Sequence, residues 1–116
     1  MHFPQIRKKL GISGVLTAAH SWRGKFEDDG AQIDLVIDRN DNVINLCEIK
    51  FSSELFTIKK SDSTSIRNKR AAFIDSTNTR KSVVTTMITT FGLKKNIYSA
   101  EILSEVTLDD LFEPNE

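Results

Sequence analysis

The chain is poor in the residues that build covalent or metal cross-links. It has one cysteine, Cys47, and two histidines, His2 and His20. A single cysteine excludes an internal disulfide and any cysteine-built zinc site, and it suits a reducing compartment, so we expect a cytoplasmic protein with Cys47 as a small buried hydrophobe. Because no second histidine stands at metal-binding spacing, a surface or core role fits His20 better than a ligand role.

Net charge and long apolar runs are also missing. Sixteen basic and sixteen acidic residues cancel, so no global field holds nucleic acid, and any DNA contact must be local. No apolar run approaches the ~20 residues that span a bilayer, which predicts a soluble chain without a membrane partner. Gly11 and Gly14 lead into no lysine-serine pair, so the chain cannot hold ATP by a P-loop.

What is present predicts one globular α/β domain over residues 1–116 with the order αβββαβ: a mixed sheet flanked by helices. Pro4 and Gly11 bracket a short helix, and apolar patterning indicates strands over 31–38 and 43–51. Residues 15–22 are ambiguous between a helix and a strand, and the turn-rich stretch from Gly24 to Gly30 favours a strand. A helix capped by Ser61 or Ser63 runs through Ile74, followed by a strand over 82–90. The residues from Thr107 to Asp110 signal a last short helix.

The hairpin formed by the second and third strands carries the most information. Ile33, Leu35 and Ile37 are expected on one face of their strand, and Cys47, Ile49 and Phe51 on one face of the next. If the apolar side chains of both strands lie on one face of the sheet, Leu35 is opposite Cys47 and Asp34 is opposite Glu48. This register requires an odd number of loop residues or a bulge between the strands.

Asp34, Glu48 and Lys50 would then share a face at one end of the sheet. Two carboxylates supply hard oxygen ligands for Mg²⁺ or Mn²⁺, and a neighbouring ammonium can orient water and stabilise a phosphorane. The alternative is a solvated strand face with weak ion pairs. Ile44 and Leu46 share the face of Glu48 and Lys50, so the charges there are partly covered and a functional role gains weight.

These residues resemble a known family. Gly30-Ala-Gln-Ile-Asp34 followed by Cys47-Glu48-Ile-Lys50 is similar to the core of the PD-(D/E)XK restriction-endonuclease-like superfamily. A closer resemblance, over nearly the whole chain, is to the nuclease-like domain at the C-terminal end of certain bacterial and archaeal AAA ATPases. The short motifs of this chain that look like those of that domain are Pro4-Gln-Ile, Gly11-Ile-Ser-Gly-Val15, Met87-Ile-Thr-Thr90, Gly92-Leu-Lys-Lys95 and Thr107-Leu-Asp-Asp-Leu-Phe112.

The resemblance implies a restriction-endonuclease-like fold and a metal-dependent nuclease, and our leading hypothesis is that it acts on DNA without strong sequence preference. Asp34 and Glu48 match the metal-binding acids and Lys50 the family's lysine, and an ATPase module would precede this region. The first helix offers only Gln5 where many members place a further glutamate. The alternative is a catalytically inactive module of the same fold that serves as a docking or regulatory appendage of the ATPase.

Several other residues carry weaker expectations. Gln32, which we expect on the same face as Asp34, Glu48 and Lys50, is a candidate for positioning water or phosphate, as are Lys59 and Lys60. The basic residues that follow Lys50 in the sequence could touch phosphates or form a solvated helix face: Lys59, Lys60, Arg67, Lys69, Arg70, Arg80 and Lys81. Isolated aromatics beside strands are usually core, so we expect core positions rather than base stacking for Trp22, Phe26 and Phe56. A free-standing nucleic-acid-binding module is disfavoured by the neutral charge.

Overall fold

The computed structural model describes residues 3–24, 32–102 and 104–111. The described helices are α1 (Phe3–Lys9), α2 (Lys60–Thr77) and α3 (Leu108–Leu111), with a 3₁₀ turn at Ser99–Glu101. The described strands are β1 (Thr17–Arg23), β2 (Gln32–Arg39), β3 (Val43–Lys50), β4 (Ser82–Thr89) and β5 (Ser104–Thr107). Among these helices, none is long and apolar enough to cross a membrane.

The strands form one mixed sheet in the sequence order β1-β2-β3-β4-β5. The first two pairings are antiparallel, whereas β3 and β4, and β4 and β5, run parallel. The predicted α/β class with a mixed sheet and flanking helices is confirmed. The edge strand β5 was not predicted, because four residues are too short for alternation to reveal. The Thr107 capping signal beside it is confirmed: its backbone N–H and hydroxyl donate to Asp110 Oδ2 at 2.8 and 3.0 Å.

Helices cover both faces of the sheet. On the α2 face, Phe73 packs with strand residues Val36, Ile44, Leu46 and Val83. On the opposite α1 face, Ile6 of α1 and Leu111 of α3 pack with Leu35, Ile37, Cys47, Ile88 and Val106. The predicted division of β3, with Cys47 and Ile49 on one side and Ile44 and Leu46 on the other, is confirmed.

The β2–β3 hairpin has the predicted loop. Leu35 pairs with Cys47 and Asp38 with Ile44. Residues 40–42 separate the two strands, which is an odd, three-residue loop, and Asn42 adopts a left-handed φ of 67°. A three-residue hairpin loop characteristically ends on such a residue, so the turn and the burial pattern specify the same register.

A β-bulge interrupts β2 next to the candidate site. His20 pairs with Val36 but Trp22 pairs with Ile33, so Asp34 and Leu35 together oppose Ser21. Beyond the bulge Ile33 packs into the α2-face cluster, while Leu35 stays on the α1 face. The prediction that Ile33 shares a face with Leu35 and Ile37 is therefore wrong, because an extra residue reverses the alternation.

Helix α2 begins earlier than its predicted serine caps. Its first residue is Lys60, and the Lys59 backbone N–H donates to Asp62 Oδ2 at 2.9 Å. Ser63 lies inside the helix, buried, and donates to Glu101 Oε2 at 3.0 Å. The capping prediction for Ser61 or Ser63 is wrong, because a carboxylate at the third helical position satisfies the start instead.

Candidate functional site

Glu48 is a buried carboxylate close to the carboxyl end of β3. It is 9% exposed and pairs in register with Met87 of β4. Strand alternation sets Glu48 on the α2 face with Leu46, and the ion pair confirms it: Lys69 Nζ of α2 lies 2.8 Å from Glu48 Oε1. Burying a carboxylate costs several kcal/mol unless a partner compensates, and Lys69 is that partner.

Lys50 lies two residues further along β3, opposite Thr89 of β4. Residues two apart on a strand share a face, so Lys50 is on the α2 face beside Glu48, as predicted. Its side chain is half-buried, and its ammonium forms no hydrogen bond or ion pair with any residue that the structure describes. Lys50 thus leaves a positive charge available next to the buried carboxylate.

Asp34 lies in the bulge on the neighbouring strand. Its side chain is exposed, and its carboxylate has no hydrogen-bond or ion-pair partner within the described parts of the chain. The regular β2–β3 pairing does not include Asp34: at this end of the hairpin its last pair is Leu35 with Cys47. Because alternation breaks between Ile33 and Leu35, the strand pattern does not fix the face of Asp34. Its convergence with Glu48 and Lys50 stays a prediction.

The three positioning candidates differ in where they lie. Gln32 pairs with Arg23, and its Oε1 accepts from Arg23 Nη2 at 3.3 Å. Since Ile33 is on the α2 face, alternation puts Gln32 on the other side, away from Glu48, which corrects its expected position on the triad face. Lys59 and Lys60 are exposed at the start of α2, and their contact with phosphate stays a prediction.

Several of the basic residues after the triad have partners within the fold. Arg67 pairs with Glu101, and this hydrogen bond, followed by that from Ser63, lowers the pKa of the Glu101 carboxyl. Arg70 Nε donates to the Val83 carbonyl at 2.9 Å, and Lys81 Nζ lies 2.6 Å from Asp38 Oδ1. These contacts tie α2 to the 3₁₀ turn and to β4, and the residue before β4 to β2, which the charge pattern alone did not reveal.

Aromatic side chains divide between the core and the surface. Trp22 packs edge to face on Phe73, with ring centroids 5.5 Å apart, so its predicted core role is confirmed; Phe56 is half-buried. Phe26 lies outside the described residues. Phe51 was expected on an apolar face but is 62% exposed, because β3 ends at Lys50 before it.

Phe91, which the sequence reading missed, follows the end of β4 and is 56% exposed. Since β3 and β4 are parallel, Phe51 and Phe91 flank the same end of the sheet as Glu48 and Lys50. The sequence pattern did not reveal that these rings are exposed, because their exposure depends on the exact residues at which β3 and β4 end.

Cys47 and His20 occupy the positions predicted for them. Cys47 is fully buried on the α1 face, and burial raises the pKa of its thiol to about 12. His20 is exposed on β1. Neither residue joins the candidate site.

A second polar group lies on the α1 face and was missed because it consists of ordinary strand residues. Asn45 Nδ2 donates to Thr86 Oγ1 at 3.0 Å, and Thr86 Oγ1 lies 2.7 Å from Ser104 Oγ. Arg39 Nη1 donates to Asn45 Oδ1 at 3.2 Å and closes the row. These bonds satisfy two buried side chains internally, so the row serves primarily to join β3, β4 and β5.

Two cavities of the described chain lie away from Asp34, Glu48 and Lys50. One of about 550 Å³ is on the α1 face and includes Arg39, Asn45 and Ser104 in its wall. Another of about 190 Å³ lies beside α2 and is lined in part by Arg67 and Tyr98. The candidate site is therefore part of neither cavity.

The donor chemistry of the candidate site fits a hard cation in part. Within residues 3–24, 32–102 and 104–111, no group of three or more His, Cys, Asp or Glu side chains gathers as a metal cluster. Mg²⁺, however, keeps several waters and is held by one or two carboxylates together with substrate phosphate. Glu48 already contacts the Lys69 ammonium, so a divalent cation would have to share or displace that contact.

Comparisons with known proteins add no relative: no family model, no curated protein and no solved structure matches the chain.

Proposed function

We propose that this chain is a metal-dependent nuclease-type domain of the PD-(D/E)XK class that cleaves DNA phosphodiesters. The observation that carries the proposal is the buried Glu48 carboxylate, which contacts one ammonium and has a second, Lys50, next to it on the same sheet face. Buried charges are costly in a core and are concentrated where chemistry needs them. A purely structural face of β3 would carry apolar residues there at lower cost.

In this proposal the acidic and basic residues have different roles. Asp34 and Glu48 would hold Mg²⁺ or Mn²⁺, which when bound screens the phosphate and lowers the pKa of the attacking water. Lys50 would orient that water and stabilise charge on the phosphorane. Lys50 suits this task because its ammonium has no competing partner in the described structure.

Substrate and context belong to the same proposal. DNA without strong sequence preference is the proposed substrate. Phe51 and Phe91 beside the site offer faces on which unpaired bases can stack. An upstream AAA-type ATPase module in a longer chain is proposed from the sequence resemblance, and a cytoplasmic location is proposed from the single cysteine, Cys47.

The experiment is plasmid nicking in Mn²⁺ by the wild type and by Asp34→Asn and Glu48→Gln. Asp109→Asn, an exposed aspartate of α3, is the matched control. We expect the control to cleave as the wild type does, and each site variant to lose at least about 100-fold, as expected when an essential electrostatic group is removed. Wild-type protein that binds metal but nicks no form of DNA would overturn the catalytic proposal.

A second candidate is a non-catalytic module of the same fold that docks on or regulates an ATPase. It is favoured by one observation: Lys69 already satisfies Glu48 within the fold, so the carboxylate needs no metal. This candidate expects Asp34→Asn to change neither divalent-metal binding nor the activity of the attached ATPase. The nuclease proposal expects that variant to lose metal binding.

A further inference from the structure

The ion pair between Glu48 and Lys69 is set apart from the other ion pairs of the described chain by its burial. Both of its side chains are largely covered, at 11% and 22% exposed, and the two atoms are 2.8 Å apart. The Lys9–Asp110 pair on the α1 face is longer, at 3.7 Å, with 48% of the lysine side chain exposed. Screening by water is weak at the Glu48 pair, so its charges interact strongly with any third charge brought nearby.

We propose that Lys69 is a resident counter-ion that competes with the divalent cation for Glu48, and that this competition sets the metal affinity of the site. The inference rests on the proposed function. A carboxylate oxygen that holds an ammonium must release it, or share it against strong repulsion, before a divalent ion can bind. Lys69 therefore lowers metal affinity in the resting protein and keeps the Glu48 charge compensated when no metal is present.

The packing of α2 confines this exchange to a side-chain movement. Phe73, one turn after Lys69, is 3% exposed and packs against Trp22 and the sheet. This anchor holds the Lys69 backbone over the α2 face, so the ammonium can leave Glu48 only through rotation of its four-carbon side chain. A displaced Lys69 ammonium thus stays on the face of Lys50, where two positive charges suit an anionic phosphate.

The test is a calorimetric titration of Mn²⁺ into the full chain and three variants. Lys69→Met removes the competing charge and keeps an unbranched side chain, Lys69→Arg keeps the charge, and Lys9→Met removes an ion-paired lysine from the opposite face. We expect Lys69→Met to bind Mn²⁺ at least about 3-fold more tightly, because a weakly screened competing charge is removed. Lys69→Arg and Lys9→Met should remain within about twofold of the wild type.

The three possible results of the titration distinguish the competition by Lys69 from the metal site itself. Tighter binding by Lys69→Met, or binding where the wild type shows none, supports the inference. Wild-type binding with equal or weaker binding by a folded Lys69→Met overturns it and leaves the metal site standing. Absence of binding in both proteins rejects the proposed metal site together with the inference.

A labelling experiment on the wild type needs no variant to fold. Reductive methylation with formaldehyde, read by mass spectrometry, reports the accessibility of each lysine amine. Adding Mn²⁺ should raise the rate at Lys69 severalfold and leave Lys9 unchanged. An unchanged rate at Lys69 under conditions where Mn²⁺ binds would contradict displacement.

Discussion

Glu48 and Asp34 carry the same charge in different surroundings, and their substitutions should differ in consequence. Glu48 is covered by α2 and compensated by Lys69, whereas Asp34 is exposed in a bulge without a described partner. Removing the Glu48 charge leaves a largely buried ammonium unpaired, which costs about 3–5 kcal/mol for a fully buried pair and less here. Removing the Asp34 charge should leave stability nearly unchanged, so loss of function in Asp34→Asn is the cleaner evidence for chemistry.

Lys50→Met should separate metal binding from cleavage. A nearby positive charge opposes a cation, so its removal should leave Mn²⁺ affinity equal or slightly higher, while nicking falls by about 100-fold or more because charge on the phosphorane is no longer stabilised. Glu48→Gln should weaken both together, since it removes an anionic ligand. The measurement is calorimetry beside plasmid nicking, with Lys9→Met as control; parallel losses in Lys50→Met would contradict the assigned role.

Cys47 should make stability decline in alkali. Burial raises its pKa in the folded protein from 9.0 to about 12, so between these values the unfolded chain loses the proton first and is favoured as pH rises. This contribution is complete below pH 9.0 and diminishes towards pH 12. At pH 10 the loss is on the order of 1 kcal/mol.

The measurement for Cys47 is urea unfolding from pH 8 to 10.5, with Cys47→Ala as reference. The wild type should lose more unfolding free energy than the reference over this range. Iodoacetamide should label the folded thiol slowly at pH 9.5 and rapidly in urea. Fast labelling of folded protein would show that the thiol is accessible.

At the scale of elements, sequence reasoning succeeds for the β2–β3 hairpin and fails at the β2 bulge. The alternation of Leu35, Ile37 and Cys47 predicted the register and the odd loop, because a slip would expose a whole apolar face. The bulge at Asp34 was missed, because its cause is the pairing with β1, which the hairpin pattern does not contain.

The candidate site, like the hairpin, could be predicted from the sequence only in part. The shared face of Glu48 and Lys50 follows from their spacing of two on one strand. The Lys69 contact could not be predicted, since it depends on where α2 crosses the sheet, and a run of basic residues does not say which member turns inward. Gln32 was misplaced for the reason that Ile33 was: one extra residue reversed the faces of both.

Asn42 should be sensitive to β-branched substitution, because it holds a left-handed φ of 67° at the end of the hairpin loop. Its carbonyl also accepts from the Ser82 N–H at 2.9 Å, which joins the hairpin to β4. Asn42→Val should cost about 1–2 kcal/mol of unfolding free energy, whereas Asn42→Gly should be close to neutral. Urea denaturation measures both; equal stability of the two variants would show that the loop tolerates another conformation.

At the scale of the whole molecule, a net charge of zero means that DNA binding must depend on where the basic side chains are concentrated. Because α2 connects the parallel strands β3 and β4, its first residues lie near the carboxyl end of β3, where Glu48 and Lys50 stand. Lys59 and Lys60 are exposed there, whereas Arg80, just before β4, is at the other end of the sheet. Phosphate contacts should therefore concentrate at the start of α2.

The double variant Lys59→Gln/Lys60→Gln should weaken duplex DNA binding and flatten its salt dependence. Each phosphate contact contributes about 0.9 to the slope of log affinity against log salt, so losing two reduces its magnitude by about 1.8. Lys9→Gln/Arg80→Gln removes the same charge from other surfaces and should keep the wild-type slope. Fluorescence anisotropy over a range of salt concentrations, in Ca²⁺ to limit cleavage, measures both. Equal flattening in the two double variants would show that binding follows net charge, and the phosphate role of Lys59 and Lys60 would then be wrong.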